Sequence, residues 1–238
     1  MNSTTERISV VRSQPIPHEE HRHGKAGSLT LGWTLLDPVE PDRPARVQAE
    51  LLGRHHSRHS VLVQQVHLTR CVVIAEGDKL PSTPERADGV ITNRRDLLVG
   101  VSAADCLPLF VVGQSGLAVL HAGWRGVLGG ILPLARQRLA GAFGPGSGEP
   151  ELVIGPGIGP CCFEVSPAVW TLFPLSSRVA REGKRFVDLP AAVIEQWQLA
   201  GGGPVVRFDR CTSCSSPALH SYRRDGGAGR NLAYLCYA

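Results

Sequence analysis

The 238-residue chain has no long apolar run. Residues 1–20 carry charges and prolines instead of the continuous apolar core of a signal peptide, and no stretch approaches the length of a membrane span. That absence predicts a cytoplasmic protein with no membrane partner. Charge of one sign is also scarce: 25 Lys+Arg stand against 21 Asp+Glu, a net of +4, and no dense basic block is interleaved with aromatics. Nucleic acid is therefore not an expected partner. There is no internal repeat, which excludes a solenoid. Cysteine lacks the even count of a secreted disulfide framework; the seven present read as reduced thiols. What remains is an ordinary globular composition, 42% hydrophobic and 19% charged, long enough to bury a full core.

Short apolar runs bounded by Gly and Pro predict buried strands at residues 61–66, 71–75, 89–92, 97–101, 109–112 and 117–120, with others at 28–33, 152–154, 205–208 and 231–237. Helices are expected at 45–54, after Asp42-Arg43-Pro44, and at 126–140, after a Gly-rich turn. Ser166-Pro167 and Asp188-Leu189-Pro190 each join a capping side chain to an early proline, and predict two further helix starts. The class is α/β: a single domain of mixed β-sheets flanked by helices. Residues 1–27 are expected to be irregular and 28–238 to form the one catalytic domain. The Gly/Pro-rich stretch 155–165 reads as a rigid loop and lacks the Gly-Lys-Ser/Thr of a Walker phosphate loop.

Three polar clusters end apolar runs: Gln64-Gln65-Val66-His67, Ala104-Asp105-Cys106-Leu107-Pro108 and His121-Ala122-Gly123-Trp124-Arg125-Gly126. Ligands gather at strand ends in α/β proteins, which makes His67, Cys106 and His121 candidate neighbours. Two imidazoles and a thiolate with one vacancy is the composition of a catalytic zinc site, although the spacing alone does not identify one. Arg125, at an expected helix start, either holds an anion such as phosphate or pairs with a structural carboxylate. Arg223, in Ser221-Tyr222-Arg223-Arg224-Asp225, is open to substrate binding or to an ion pair. Cys211-Thr212-Ser213-Cys214 has zinc-knuckle spacing, yet no second pair of that kind completes four ligands, so a metal or redox role there is the lesser expectation. His55, His56 and His59 read as a solvated helix end, and His18, His21 and His23 likewise as unliganded.

Gln65-Val66-His67, Ala87-Asp88-Gly89, Ala104-Asp105-Cys106-Leu107-Pro108, His121-Ala122-Gly123-Trp124-Arg125-Gly126, Ile154-Gly155-Pro156-Gly157-Ile158-Gly159, Cys162-Phe163-Glu164-Val165 and Ser221-Tyr222-Arg223-Arg224-Asp225 follow one another from about residue 60 to the C-terminus. This ordered series resembles the YfiH-type laccase-domain family, once labelled multicopper polyphenol oxidases, also named for editing peptidoglycan precursors, and now associated with purine nucleoside phosphorylase activity. The resemblance implies zinc bound by His67, Cys106 and His121. It also implies phosphorolysis of adenosine, inosine, guanosine and methylthioadenosine, with adenosine deamination beside it. Gln65, Asp105, Arg125 and Arg223 become candidates for orienting substrate, which would be a purine nucleoside and phosphate. The N-terminal part departs from the family: His23-Gly24-Lys25-Ala26-Gly27 replaces an Arg-x-Gly-Gly-Val-Ser piece, Thr30 stands in for Asn, and Leu68 follows His67 where Gly is usual.

Three rivals come from other classes. A copper oxidase needs many histidines, including His-x-His pairs, and His21-Arg22-His23 is the only His-x-His in the sequence. A metal-free hydrolase would use Cys106 as nucleophile with His121 or His67 as its base. A non-catalytic, divergent member is the third reading.

Overall fold

Apolar residues at strand spacing organise the chain into two facing sheets with helices on their outer sides. The computed structural model describes residues 18–23, 29–36, 43–216, 218–227 and 229–237. In chain order they form β1 (His18–His23), β2 (Leu29–Leu36), α1 (Arg43–His55), β3 (His59–Leu62), β4 (Cys71–Ile74), β5 (Gly89–Thr92) and β6 (Leu97–Ala103). Next come β7 (Leu107–Val112), β8 (Leu117–Ala122), α2 (Trp124–Leu128), α3 (Ile131–Phe143), β9 (Glu151–Ile154) and α4 (Pro167–Trp170). The chain finishes with β10 (Arg178–Arg181), β11 (Lys184–Val187), α5 (Leu189–Leu199), β12 (Val205–Arg207), α6 (Tyr222–Asp225) and β13 (Arg230–Tyr237). One sheet has the order β1-β2-β13-β6-β3 and the other β12-β9-β7-β8-β5-β4, while β10 and β11 make a separate hairpin. Both large sheets are mixed, with β3–β6, β4–β5 and β9–β12 parallel and their other pairs antiparallel.

Side chains alternate across a strand, so each central strand feeds two cores. In β8, Leu117 and Val119 enter the layer between the sheets, while Ala118, Leu120 and Ala122 face α3 and α5. In β13, Ala233 and Leu235 enter the inter-sheet layer, and Leu232, Tyr234 and Cys236 pack under α1 with Val47 and Leu51. Strands buried on both faces read as unbroken apolar runs, which is why they were legible. On the helix side Trp197 is fully buried and donates its Nε1–H to the Gly203 carbonyl at 2.9 Å. Truncating such a side chain to Ala costs roughly 3–5 kcal/mol.

The two capped helix starts form as their residues dictate. Ser166 accepts the Val169 N–H ahead of α4, and Asp188 accepts the Ala191 N–H ahead of α5, each with a proline in the first turn. Several boundaries differ from expectation. His18–His23 pairs with β2 as an edge strand, so that part of the N-terminal segment is not irregular; the rest of 1–17 and 24–28 lies outside the described residues. The 61–66 run leaves its ladder at Leu62, because the backbone beyond it bonds to Asp88 and its neighbours instead. The 126–140 helix is two helices, broken at Gly129-Gly130, where Gly130 takes a left-handed φ of 74°. No described helix is long and apolar enough to cross a membrane.

Candidate active site

Asp88 is the hub of the site. It precedes β5, has no exposed surface, and sits beside the end of β8 because His121 N–H donates to the Asp88 carbonyl at 2.7 Å. Its carboxylate accepts three successive backbone N–H bonds, from Val66 at 3.2 Å, His67 at 2.8 Å and Leu68 at 2.8 Å. The same carboxylate meets His121 Nδ1 at 3.0 Å. Burial would raise the Asp88 pKa, but the bonds from His121 and from the Leu68 and His67 N–H groups outweigh it and hold the carboxyl below its ordinary value. Asp88 therefore does two things at once: it shapes the loop that carries His67, and it fixes the ring of His121 with Nε2 turned the other way. The residue stood in a recognised motif, Ala87-Asp88-Gly89, yet sequence reasoning assigned it no role. The usable signal was an acidic residue where an apolar strand begins.

His67, Cys106 and His121 converge. Their ligand atoms all lie within 4.8 Å of one another, and the two imidazole planes stand at 90° with centroids 4.8 Å apart. His121 is buried, Cys106 partly so, and His67 exposed, so the group opens to solvent on the His67 side. His67 and Asp105 hold left-handed φ values of 60° and 86°. Such backbone is unfavourable outside glycine and persists where neighbouring bonds impose it, here through the Asp88 carboxylate for His67. Gly123, just after His121, lets the chain pass close by: a Cβ there would lie 3.0 Å from Cys106 Sγ and 3.6 Å from the His67 ring. Burial pushes the Cys106 thiol up, but hydrogen bonds and charge from His121 and His67 prevail and bring it down to about 7. Burial lowers the His121 pKa, and Asp88 with Cys106 reverses this, lifting it to about 9. Two nitrogens and one sulfur in this compass suit a borderline-soft ion such as zinc, whose ligands lie about 2.0–2.3 Å from the metal.

The remaining candidates are distributed around this group. Arg125 is exposed, and its guanidinium lies 4.3 Å from the centroid of the Trp124 ring. Gln65 is held through its amide to Ser102, donating to the backbone carbonyl and accepting from the hydroxyl. Asp105 is half-buried, and its carboxylate accepts the Thr212 hydroxyl at 2.6 Å and the Arg223 N–H at 2.7 Å. The Arg223 guanidinium donates to the carbonyls of Cys162, at 2.8 Å, and Glu164, at 3.0 Å. Asp105 and Arg223 thus tie four chain segments together behind Cys106, around residues 105, 162–164, 212 and 223. A second cluster supplies the partner pair that the spacing of Cys211 and Cys214 lacked. Cys161 and Cys162 join them, and the four sulfurs lie within 4.8 Å of one another. Linear spacing missed this because the partner pair is two adjacent cysteines about fifty residues upstream.

Two facing mixed sheets with a His, Cys, His group where their strands end define an α/β protein with a three-donor metal-capable site. Residues 22–238 match the family described as multi-copper polyphenol oxidoreductase laccase, and the chain belongs to that family. It is 32% identical over 245 residues to purine nucleoside phosphorylase YlmD of Geobacillus stearothermophilus, covering 92% of this chain and 86% of that protein. It is also 32% identical over 191 residues to adenosine deaminase RL5 from an unknown prokaryotic organism, covering 72% of each. The crystal structure of the Bacillus licheniformis hypothetical protein YfiH shares the fold, with a TM-score of 0.81 at 22% identity over 92% of this chain and 96% of that one.

Proposed function

We propose that this chain is a zinc-dependent purine nucleoside phosphorylase, acting on adenosine, inosine, guanosine and methylthioadenosine, with adenosine deamination as a side activity. The observation that carries the reading is the His67, Cys106, His121 group backed by buried Asp88, in a chain whose relatives bear those two enzyme names. Those three residues would hold the zinc, and no fourth Cys, His, Asp or Glu joins them among the described residues. Bound there, zinc supplies a Lewis acid with an open position that polarises a substrate oxygen or activates water. Asp88 keeps His121 in one tautomer and one orientation, so that donor is preorganised.

In phosphorolysis an oxygen of hydrogen phosphate attacks C1′ of the ribose, the C1′–N9 bond breaks, and the phosphate proton ends on the departing purine. Arg125 holds the phosphate in this proposal. Its guanidinium is exposed, lies over Trp124 and follows His121 by four positions. The helix that starts beside it has five residues, so the guanidinium, not a helix dipole, is the anchor. Gln65 orients substrate from the rim. Asp105 and Arg223 act as positioning residues for the wall behind Cys106.

Chromatography of the four nucleosides with zinc-loaded protein, with and without phosphate, tests the assignment. Phosphate-dependent release of free base is expected; none from any of the four rejects it. Arg125→Ala is expected to lower phosphorolysis by at least ~10-fold, with deamination reduced less and zinc content unchanged. The oxidase reading is the weaker one because the described residues offer a single histidine-containing group, whereas several copper centres need more. His21 instead packs its ring against Trp33 and Phe208, at 5.1 and 4.4 Å.

A further inference from the structure

β9 and β12 run parallel, so the chain leaves both strands at the same end of the sheet. The two exits stay together: Phe208 N–H donates to the Ile154 carbonyl at 2.9 Å, and Thr212 N–H donates to the Gly157 carbonyl at 3.1 Å. A parallel bridge joins Gly157 to Cys211. This pairing carries Cys161-Cys162 on one loop against Cys211 and Cys214 on the other. The sulfurs of Cys161 and Cys214 are 3.4 Å apart, and all four lie within 4.8 Å of one another. Four thiolates bound about 2.3 Å from one tetrahedral ion sit about 3.8 Å apart, within that compass. The backbone is prepared for thiolate as well: Gly159 N–H donates to Cys211 Sγ at 3.3 Å, and the N–H groups of Ser213 and Cys214 point to the same sulfur. The turn is locked further by the Cys211 N–H bond to the Ser215 hydroxyl at 2.7 Å.

We propose that Cys161, Cys162, Cys211 and Cys214 form a second metal centre, a closed tetrathiolate zinc site separate from the His67, Cys106, His121 group. Four protein ligands leave no position for substrate, so the ion is structural. What it staples is specific. The two loops it joins are the ones that clamp Asp105: Ile158 N–H donates to the Asp105 carbonyl at 2.8 Å, and the Thr212 hydroxyl to its carboxylate. Asp105 adjoins Cys106, so the ion sets the wall behind the first site. Arg181 and Arg223 donate to the carbonyls of Cys161 and Cys162, orienting two of the ligands.

Elemental analysis of full-length protein, purified from zinc-supplemented cells without chelator, is the test. The Cys211→Ser/Cys214→Ser variant is expected to lose one zinc per chain that Cys106→Ser retains. Should the wild type carry a single zinc with this same pattern, the tetrathiolate site stands while the zinc-dependent reading of the other site falls. Unchanged zinc in the double variant overturns the proposal. A second readout needs no variant. Cys161 and Cys214 are solvent-exposed, yet in native zinc-loaded protein both are expected to resist alkylation until a chelator is added. Rapid labelling before chelation, or protection released by a reductant and not by a chelator, overturns it, the latter outcome revealing a disulfide.

Discussion

The two groups of donors are alike in size and opposite in support. His67, Cys106 and His121 stand where sheet strands end, held from behind by a buried carboxylate, with one side open. Cys161, Cys162, Cys211 and Cys214 stand on two loops tied by backbone bonds, and two of the four, Cys161 and Cys214, are exposed residues. Three donors backed by a rigid core leave a coordination position for chemistry; four donors on loops close around an ion and order the loops. If both proposals hold, ligand count and anchoring together separate a reactive centre from a structural one, even where thiols serve both.

The largest expected effect breaks the first group. Cys106→Ala removes a donor and is expected to lower phosphorolysis on the order of 10³-fold, a barrier increase of ~4 kcal/mol, read as kcat/KM for the best nucleoside. Wild-type rates in that variant would dissolve the distinction. Asp88→Asn comes next: it keeps shape but removes the charge facing His121. Zinc affinity at that group is expected to fall about 10- to 100-fold in competition with a chromophoric chelator, while the tetrathiolate zinc is kept. The Cys211→Ser/Cys214→Ser pair sharpens the contrast from the other side. It is expected to lower the thermal midpoint by several degrees, corresponding to ~2 kcal/mol, and to cost less than about 10-fold in activity. A greater loss of activity than of stability would mark that cluster as part of the chemistry.

The smallest effect concerns a thiol that belongs to neither group. Cys71 is buried in β4, and burial outweighs the nearby Arg138 charge to push its pKa up to about 12. A raised thiol pKa favours the neutral, unreactive form, so the thiolate fraction grows only as pH climbs toward that value. Cys71 is expected to stay unlabelled by iodoacetamide in native protein at pH 8, with or without chelator, as a baseline for the cysteines that chelation exposes. Labelling at the rate of an exposed thiol would show that the strand opens.

Much of the scaffold was readable because strands buried on both faces leave continuous apolar runs, as in Leu97–Ala103, Leu107–Val112 and Leu117–Ala122. The caps at Ser166 and Asp188 were equally local, each a side chain and a proline within one turn. The β10–β11 hairpin went unread, since its residues alternate weakly and four of the eight are exposed, leaving no apolar pattern. The split between α2 and α3 turns on a left-handed glycine in a segment that is otherwise helical in spacing.

The apolar strands, the capped helices and the residue types of the first site, His67, Cys106 and His121, could be read along the chain. These are properties of a few neighbouring residues or of a motif series. That Asp88 binds two of those segments, that Asp105 ties the loops behind Cys106, and that Cys161-Cys162 meets Cys211 and Cys214 emerges only in the folded chain. Each of those facts depends on residues 20 to 118 positions apart along the chain. Sheet register places such residues side by side, and register is a property of paired strands that no local stretch contains.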